Sequence, residues 1–560
     1  MLTHLYLKSP SSQGQPKLNL PLAPSITIFV GPNNSGKSLL LRDIALACSA
    51  GASSALVVLE KIEFAPIDQA AAEAEFARIK RVPKLGESIH DQHSAVRIGD
   101  EDTQLHDPHY YLGRTDPNNH NNFYTQYYLK PLTLSLDGAT RIRLLDGVER
   151  GDLKNPTRPL PKIYTDNPKR EKWRRVVHEA FGLYPGVDAL SQGHLSVRFG
   201  MTPPPSERTH EDDIIEWMRS ARDLKDVSDG VKAFSGILLQ LYAGDPKVII
   251  IDESEAFLHP SLASTLAGEL AAAALTEDKY VFVATHSAEF VMGAIQSGAI
   301  VNIVRLTYAN GVATARLLPN DDLIALMNDP MLRSVGVLAG LFYDHVVVTE
   351  GDTDRAFYQE INTRLLAVRD ARGIPHALFL NADNHQTVPS IVAPLRKLGV
   401  PAVGVVDLDV VKLGGKEWVR QLDACGFPVG QHATAQTHRK TIFDKLVSAA
   451  PEDTEKPEDY FKVNGGVDLL SHSDRETANN LFDQLDQYGL FIVRIGEVEA
   501  WLRDLGAPQK SGGWRAAIFK AMGSDPKKQS YAKPQAGDVW DFVGSLAKWL
   551  TNPSRRGIPP

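Results

Sequence analysis

Apolar runs of three to six residues recur along the chain, each ending in a polar or glycine-rich cluster. They lie at 25–30, 248–251, 280–284, 346–348, 377–380, 403–406 and 489–494. Most are dominated by Val, Ile, Leu and Phe and do not alternate with polar residues. Strands of that kind are covered on both faces, as in a parallel sheet, whereas a sheet with one wet face alternates apolar and polar positions. Between the runs the spacing changes to the three-to-four-residue repeat of amphipathic helices, at 39–47, 233–242, 261–275, 353–366 and 388–398. Strands and helices alternating in this way predict an α/β chain built on parallel sheets.

The runs fall into two groups, which predicts two units, 1–331 and 332–560. Each is interrupted. Residues 51–225 carry a weak pattern: a helix at 68–79, a polar loop at 99–122, a hairpin over 127–145 turning at Asp137-Gly138, and helices at 168–181 and 211–222 on either side of Pro203-Pro204-Pro205. This region reads as insertion-rich and as a candidate dimerisation segment. His106, His109 and His120 read as solvated loop residues. Residues 412–489 read as a helical insertion in the second unit, and 321–331 as a helical linker.

The residues that close the apolar runs are chemically specific. After 25–30 comes Gly31-Pro32-Asn33-Asn34-Ser35-Gly36-Lys37-Ser38, a phosphate loop between strand and helix. Backbone N–H groups of Gly31, Asn33, Asn34, Ser35 and Gly36 would face phosphate oxygens. Lys37 would reach the β- and γ-phosphates, and Ser38 would ligate Mg²⁺. The run 248–251 ends in Asp252-Glu253, one acid suited to the nucleotide's Mg²⁺ and the other to polarising the attacking water. The run 280–284 leads to His286, placed to meet a γ-phosphate. Ser228 and Gly230 open a helix and suit a γ-phosphate held by a second subunit, or else form an ordinary turn and cap.

In the second unit, Glu350 ends one run and Asp354 lies a helical turn later. Asp407 and Asp409 end another, and alternation along an extended chain would put both on one face. Glu497 and Glu499 come after the last run, where a charged helix start is the simpler alternative. Carboxylates gathered at strand ends repel one another, and a divalent cation offsets that repulsion; Mg²⁺ or Mn²⁺ suits hard oxygen ligands.

Composition narrows the picture. The 560 residues carry a net charge of −8, so a globally basic nucleic-acid coat is absent and DNA must be met by local patches. One such patch is 139–175, with 11 Lys/Arg against 5 Asp/Glu; it could track a phosphate backbone or be a solvated helical face. Two cysteines without a C-x-x-C pair fit a reducing cytoplasm, and no signal peptide or membrane-length apolar run is read, so no membrane partner is expected.

Residues 31–38, 228–230, 252–253 and 286, in that order, resemble the ATP-binding-cassette ATPase head. That resemblance implies ATP held between two heads, hence a homodimer or larger homo-oligomer. Two departures, the abbreviated signature and Ser254 where the family usually has Pro, bear on the rate of hydrolysis. Glu-Gly-x-x-Asp at 350–354 with Asp-x-Asp at 407–409 resembles the Toprim fold of topoisomerases, primases and some nucleases. The combination, with Glu497, Glu499 and a later lysine, looks like the OLD (overcoming lysogenization defect) family and the related Gabija nuclease subunit. It implies an ATP-binding, Mg²⁺- or Mn²⁺-dependent DNA endonuclease in phage defence, with an accessory defence protein as a further partner. Lys510 is then the residue for charge on the phosphate, with Lys520, Lys527 and Lys528 as competitors. The alternatives are a DNA-bridging ATPase, disfavoured by the lack of a heptad coiled coil, and a topoisomerase- or primase-like enzyme.

Overall fold

The computed structural model describes residues 1–12, 14–50, 55–99, 101–191, 193–209, 211–309, 311–508 and 513–559. The chain is α/β and folds as two compact units, Met1–Asn320 and Asp321–Pro560.

The first unit is built on a six-stranded sheet. Across it run Val312–Leu318, Val301–Ala309, Ser25–Val30, Tyr280–Ala284, Val248–Ile251 and Thr133–Leu136. The last five are mutually parallel, and the Val312–Leu318 edge strand returns antiparallel. Every residue of Ser25–Val30, Val248–Ile251 and Tyr280–Ala284 is buried, as two-sided cover requires. Because these three strands are parallel and adjacent, the phosphate loop, the acid pair and His286 all emerge at one edge of the sheet. That edge, beyond the strands' carboxyl ends, is where open α/β sheets meet ligands.

Three expectations for 51–225 are corrected. No hairpin forms at 127–145. Thr133–Leu136 joins the main sheet beside Val248–Ile251, so this part belongs to the core and not to an insertion. Asp137 caps the short helix Gly138–Arg141 through a reciprocal bond with Thr140, because an Asp before a helix satisfies orphan N–H groups as readily as it turns a hairpin. The expected loop 99–122 contains the strand Glu101–His106 and the helix Asp107–Thr115. Its histidines are partly exposed and also touch other rings: His106 meets His109 at 4.1 Å, and His109 stacks on Phe123 at 4.0 Å. The helix Asn167–Phe181 does present a solvated charged face, in Lys169, Lys172 and Arg175, while Trp173, Arg170 and Arg174 are buried on its other side. Both arginines pair with the buried Glu207, at 3.0 and 2.6 Å, leaving them unavailable to a phosphate backbone.

The second unit holds a four-stranded, wholly parallel sheet in the order Ala377–Asn381, His345–Thr349, Ala402–Asp407, Leu490–Val493. Helices Asp352–Ala367 and Val388–Lys397 make the first two crossovers. The third is the long helical stretch that includes Gly415–Ala424, His432–Ser448, Pro457–Val463 and His472–Asp486. Trp514–Met522 and Asp538–Thr551 close the core against Phe357, Tyr358 and Trp501. Among the described residues, no helix is long and apolar enough to cross a membrane.

Candidate functional sites

In the first unit the loop 31–38 leads from the sheet into the helix Lys37–Ser49. Gly31 has φ +142°, and a Cβ there would lie 2.1 Å from the Leu306 carbonyl oxygen, so only glycine fits. Asn33 and Asn34 are exposed, and Ser35 is buried. Lys37 Nζ donates to the carbonyls of Gly31 and Pro32, both at 2.8 Å, and burial pulls its pKa down to about 8. Ser38 Oγ donates to Asp252 Oδ1 at 3.1 Å, which joins the loop to the acid pair. Glu253 is exposed and sits at φ +50°, an uncommon conformation for a non-glycine residue. Arg141 Nη1 donates to its carbonyl at 2.7 Å and helps hold it there.

Two residues of this site have no signal in the sequence. One is Arg141. The other is Glu255, whose carboxylate accepts from Thr285 Oγ1 at 2.7 Å and from the His286 N–H at 2.6 Å, anchoring the turn that carries His286. Burial, then Lys37, lowers the His286 pKa and favours neutral imidazole. Ser228 caps the helix Asp229–Ala243 by accepting from Val231 N–H at 3.4 Å. Gly230 lies against the Phe257 carbonyl. If the loop takes phosphate, Lys37→Ala weakens ATP binding by roughly 10–100-fold, the scale of a lost bond to a charged group. Calorimetric titration of the nucleotide checks this, and unchanged affinity would remove the assignment.

In the second unit, acids from three strand ends converge. Glu350 Oε1 accepts from the Asp407 N–H at 2.7 Å, bonding the ends of the two central strands together. Asp354 Oδ2 accepts from the Gly351 N–H at 2.7 Å, so it also caps its own helix. Asp407 and Asp409 do come together, though not by alternation: Leu408–Lys412 is a 3₁₀ turn. What joins them is Lys462, whose Nζ lies 3.2 Å from Asp407, 3.1 Å from Asp409 and 3.9 Å from Glu497. The charged-helix alternative for 497–499 reduces to the single 3₁₀ turn Val498–Ala500. Lys510 lies outside the described residues.

Lys462 and His385 are not marked by any sequence motif. Lys462 sits on Pro457–Val463, in the long crossover. Gly496 lets that helix close in, since a Cβ at Gly496 would fall 1.9 Å from the Lys462 carbonyl oxygen. His385 comes after the strand Ala377–Asn381, where the nearest acid, Asp383, is exposed. Ligand atoms of Glu350, His385 and Asp409 all lie within 4.8 Å of one another. Asp409 Oδ1 is buried without a hydrogen-bond partner.

The charges are strained in the way a cation would relieve. Burial, then Glu350 and Glu499, pushes Asp354 up to about 7, although the Gly351 N–H opposes it. Burial and Glu499 push Glu497 up to about 7, and burial with Glu350 and Asp354 pushes Asp407 well above the carboxylate range. Burial disfavours charge on Lys462, but Asp407 and Asp409 hold its pKa above the usual lysine value. For acids held above their free values the folded chain binds the extra proton. Stability is therefore fully present below about pH 4 and lost as pH rises through about 7. A divalent cation that needs these groups ionised reverses the loss and releases protons. Mn²⁺ should raise the melting temperature more at pH 8 than at pH 5.5; equal shifts would show that its binding is not linked to the ionisation of these carboxylates.

Comparison with known proteins bears mainly on the first unit. Residues 200–292 match the family described as AAA domain, putative AbiEii toxin, Type IV TA system. That segment contains Ser228, Gly230, Asp252, Glu253, Glu255 and His286. With the phosphate loop, it makes the first unit an ATPase-type domain. No curated protein matches the chain. Among solved structures, an SMC head bound to the C-winged helix domain of ScpA is similar at 13% identity and TM-score 0.35, covering 57% of this chain and 99% of that one. The SMC head domain from Thermotoga maritima gives 15% and 0.28, covering 57% and 99%. A nucleotide-free ATP-binding cassette from an ABC transporter gives 13% and 0.24, covering 60% and 98%.

Proposed function

We propose that the chain is an ATP-binding, divalent-metal-dependent DNA endonuclease of the OLD type, in which an ABC-type head regulates a Toprim-type site in the second unit. The observation that carries the nuclease reading is the convergence of Glu350, Asp354, Asp407, Asp409 and Glu497 around Lys462 and His385. A half-buried set of carboxylates that, among the described residues, has one lysine and one imidazole beside it is expensive unless a cation joins it. The orphaned Asp409 Oδ1 and the oxygen-rich donor set fit Mg²⁺ or Mn²⁺. Bound there, such an ion would supply an activated water and neutralise charge on the departing 3′-oxygen of a phosphodiester.

The chain's own residues set the geometry. The Asp407 N–H fixes one oxygen of Glu350 and turns the other toward His385. Asp354 holds the start of its helix beside them, Glu499 adds negative potential, and Lys462 keeps Asp407, Asp409 and Glu497 together. Lys510 is the proposed stabiliser of charge on the attacked phosphate. In the first unit, loop 31–38 binds ATP, Ser38 and Asp252 hold its Mg²⁺, Glu253 orients water, and His286 meets the γ-phosphate. Ser228 and Gly230 complete the site of a second head, so the protein works as a homodimer or larger homo-oligomer. A role in phage defence with an accessory protein agrees with a matched family described by a toxin system.

The test is supercoiled plasmid incubated with Mn²⁺ or Mg²⁺, with and without ATP. Nicked or linear product is expected. Relaxed closed circles would indicate a topoisomerase, and unaltered plasmid would remove the nuclease reading.

A further inference from the structure

We propose that His385 is a direct ligand of the second unit's cation, so that the centre is a mixed nitrogen–oxygen site with Glu350 and Asp409, built for Mn²⁺ in preference to Mg²⁺. This rests on the metal-dependent reading above and names the ion for it.

The distances suit a shared ion. His385 Nδ1 lies 3.7 Å from Glu350 Oε2, too far for a hydrogen bond but within reach of one cation between them. Three donor atoms no more than 4.8 Å apart fit inside a circle of radius about 2.8 Å, close to the distances at which such cations hold ligands. The loop is also held in place. The His385 carbonyl accepts from Gln421 Nε2 at 2.6 Å, and Gln421 is buried on the helix Gly415–Ala424. Asn384 Oδ1 accepts from the Thr387 N–H at 3.0 Å, closing the turn around it.

Charge then fixes how many ions fit. Lys462 stands on the far side of the cluster, against Asp407, Asp409 Oδ2 and Glu497. It gives that side a fixed positive charge where a second divalent ion would otherwise be drawn. Asp409 Oδ1 stays without a partner. Glu350 and Asp409, two negative charges, match one divalent ion, and His385 adds a neutral donor.

Donor type selects the ion. Mg²⁺ takes oxygen ligands in a near-ideal octahedron and sheds water reluctantly. Imidazole suits transition-metal ions better than Mg²⁺, and of the two candidate ions that an oxygen-rich shell allows, Mn²⁺ is the transition metal.

The experiment uses the full-length protein without nucleotide, titrated with Mn²⁺ and followed by electron paramagnetic resonance with spin-echo modulation. One Mn²⁺ that depends on Glu350 is expected, carrying the modulation of a directly bound ¹⁴N. His385→Gln should erase that modulation and weaken Mn²⁺ by about tenfold or more. His385→Asp should keep an ion, lose the nitrogen signal and shift preference toward Mg²⁺. Retained ATP binding and an unchanged melting profile without metal would certify the fold of each variant. A Glu350-dependent Mn²⁺ without nitrogen modulation, or equal Mn²⁺ affinity in His385→Gln, would overturn the His385 assignment and leave the metal reading standing. Mn²⁺ binding that ignores Glu350→Gln would overturn the metal reading itself.

Discussion

Glu350→Ala should abolish metal-dependent nicking of supercoiled DNA, by about a thousandfold or more, while ATP binding survives. That scale corresponds to losing several kcal/mol of charge stabilisation at a metal centre. Glu350 is the acid whose loss disturbs the cluster most. One of its oxygens bonds the Asp407 N–H and the other faces His385. It is also a leading cause of the raised pKa values of Asp407 and Asp354. Its removal should therefore make the metal-free protein slightly more stable at neutral pH even as cleavage disappears. Plasmid nicking, nucleotide titration and melting, run on the same preparation, separate these effects. Intact cleavage with lost ATP binding would contradict the assignment.

The second large effect concerns stability. Glu207→Ala should destabilise the first unit by about 3–5 kcal/mol, because it removes the buried acid shared by two buried guanidinium groups and leaves Arg174 paired with the exposed Glu171 alone. The Glu207 carboxylate is fully buried between Arg170 and Arg174, which are themselves nearly so. It also accepts from the Val187 N–H, which ties the helix Asn167–Phe181 to the strand Tyr184–Asp188. Urea unfolding should show a lower midpoint with an unchanged slope. If the 139–175 stretch were instead a phosphate-tracking surface, the variant would fold normally and bind DNA more tightly.

These two residues also show what can be read from sequence. Glu350 is legible because it ends an unbroken apolar strand, and strand ends in parallel sheets share an edge. The phosphate loop, Asp252, Glu253 and His286 are legible for the same reason. Arg170 and Arg174 mislead because nothing local reveals that an acid more than thirty residues later is folded against them. Lys462 and His385 share that difficulty. One depends on a close approach at Gly496, and the other on a loop in which the exposed Asp383 is the acid that catches the eye. Asp137-Gly138 misleads because a helix cap and a hairpin turn use the same residues, and only the pairing of Thr133–Leu136 with Val248–Ile251 decides between them.

That pairing, with Arg141 reaching the Glu253 carbonyl, has a practical bearing on modularity. The variable-looking middle of the first unit cannot be excised or exchanged as a cassette. A chimera that replaced 51–225 wholesale would lose an edge strand and release the backbone of Glu253. Grafts meant to alter self-association should keep residues 133–141 and draw their boundaries outside them. A graft that removed those residues yet hydrolysed ATP at the parental rate would show that the arginine's grip on Glu253 plays no part in turnover.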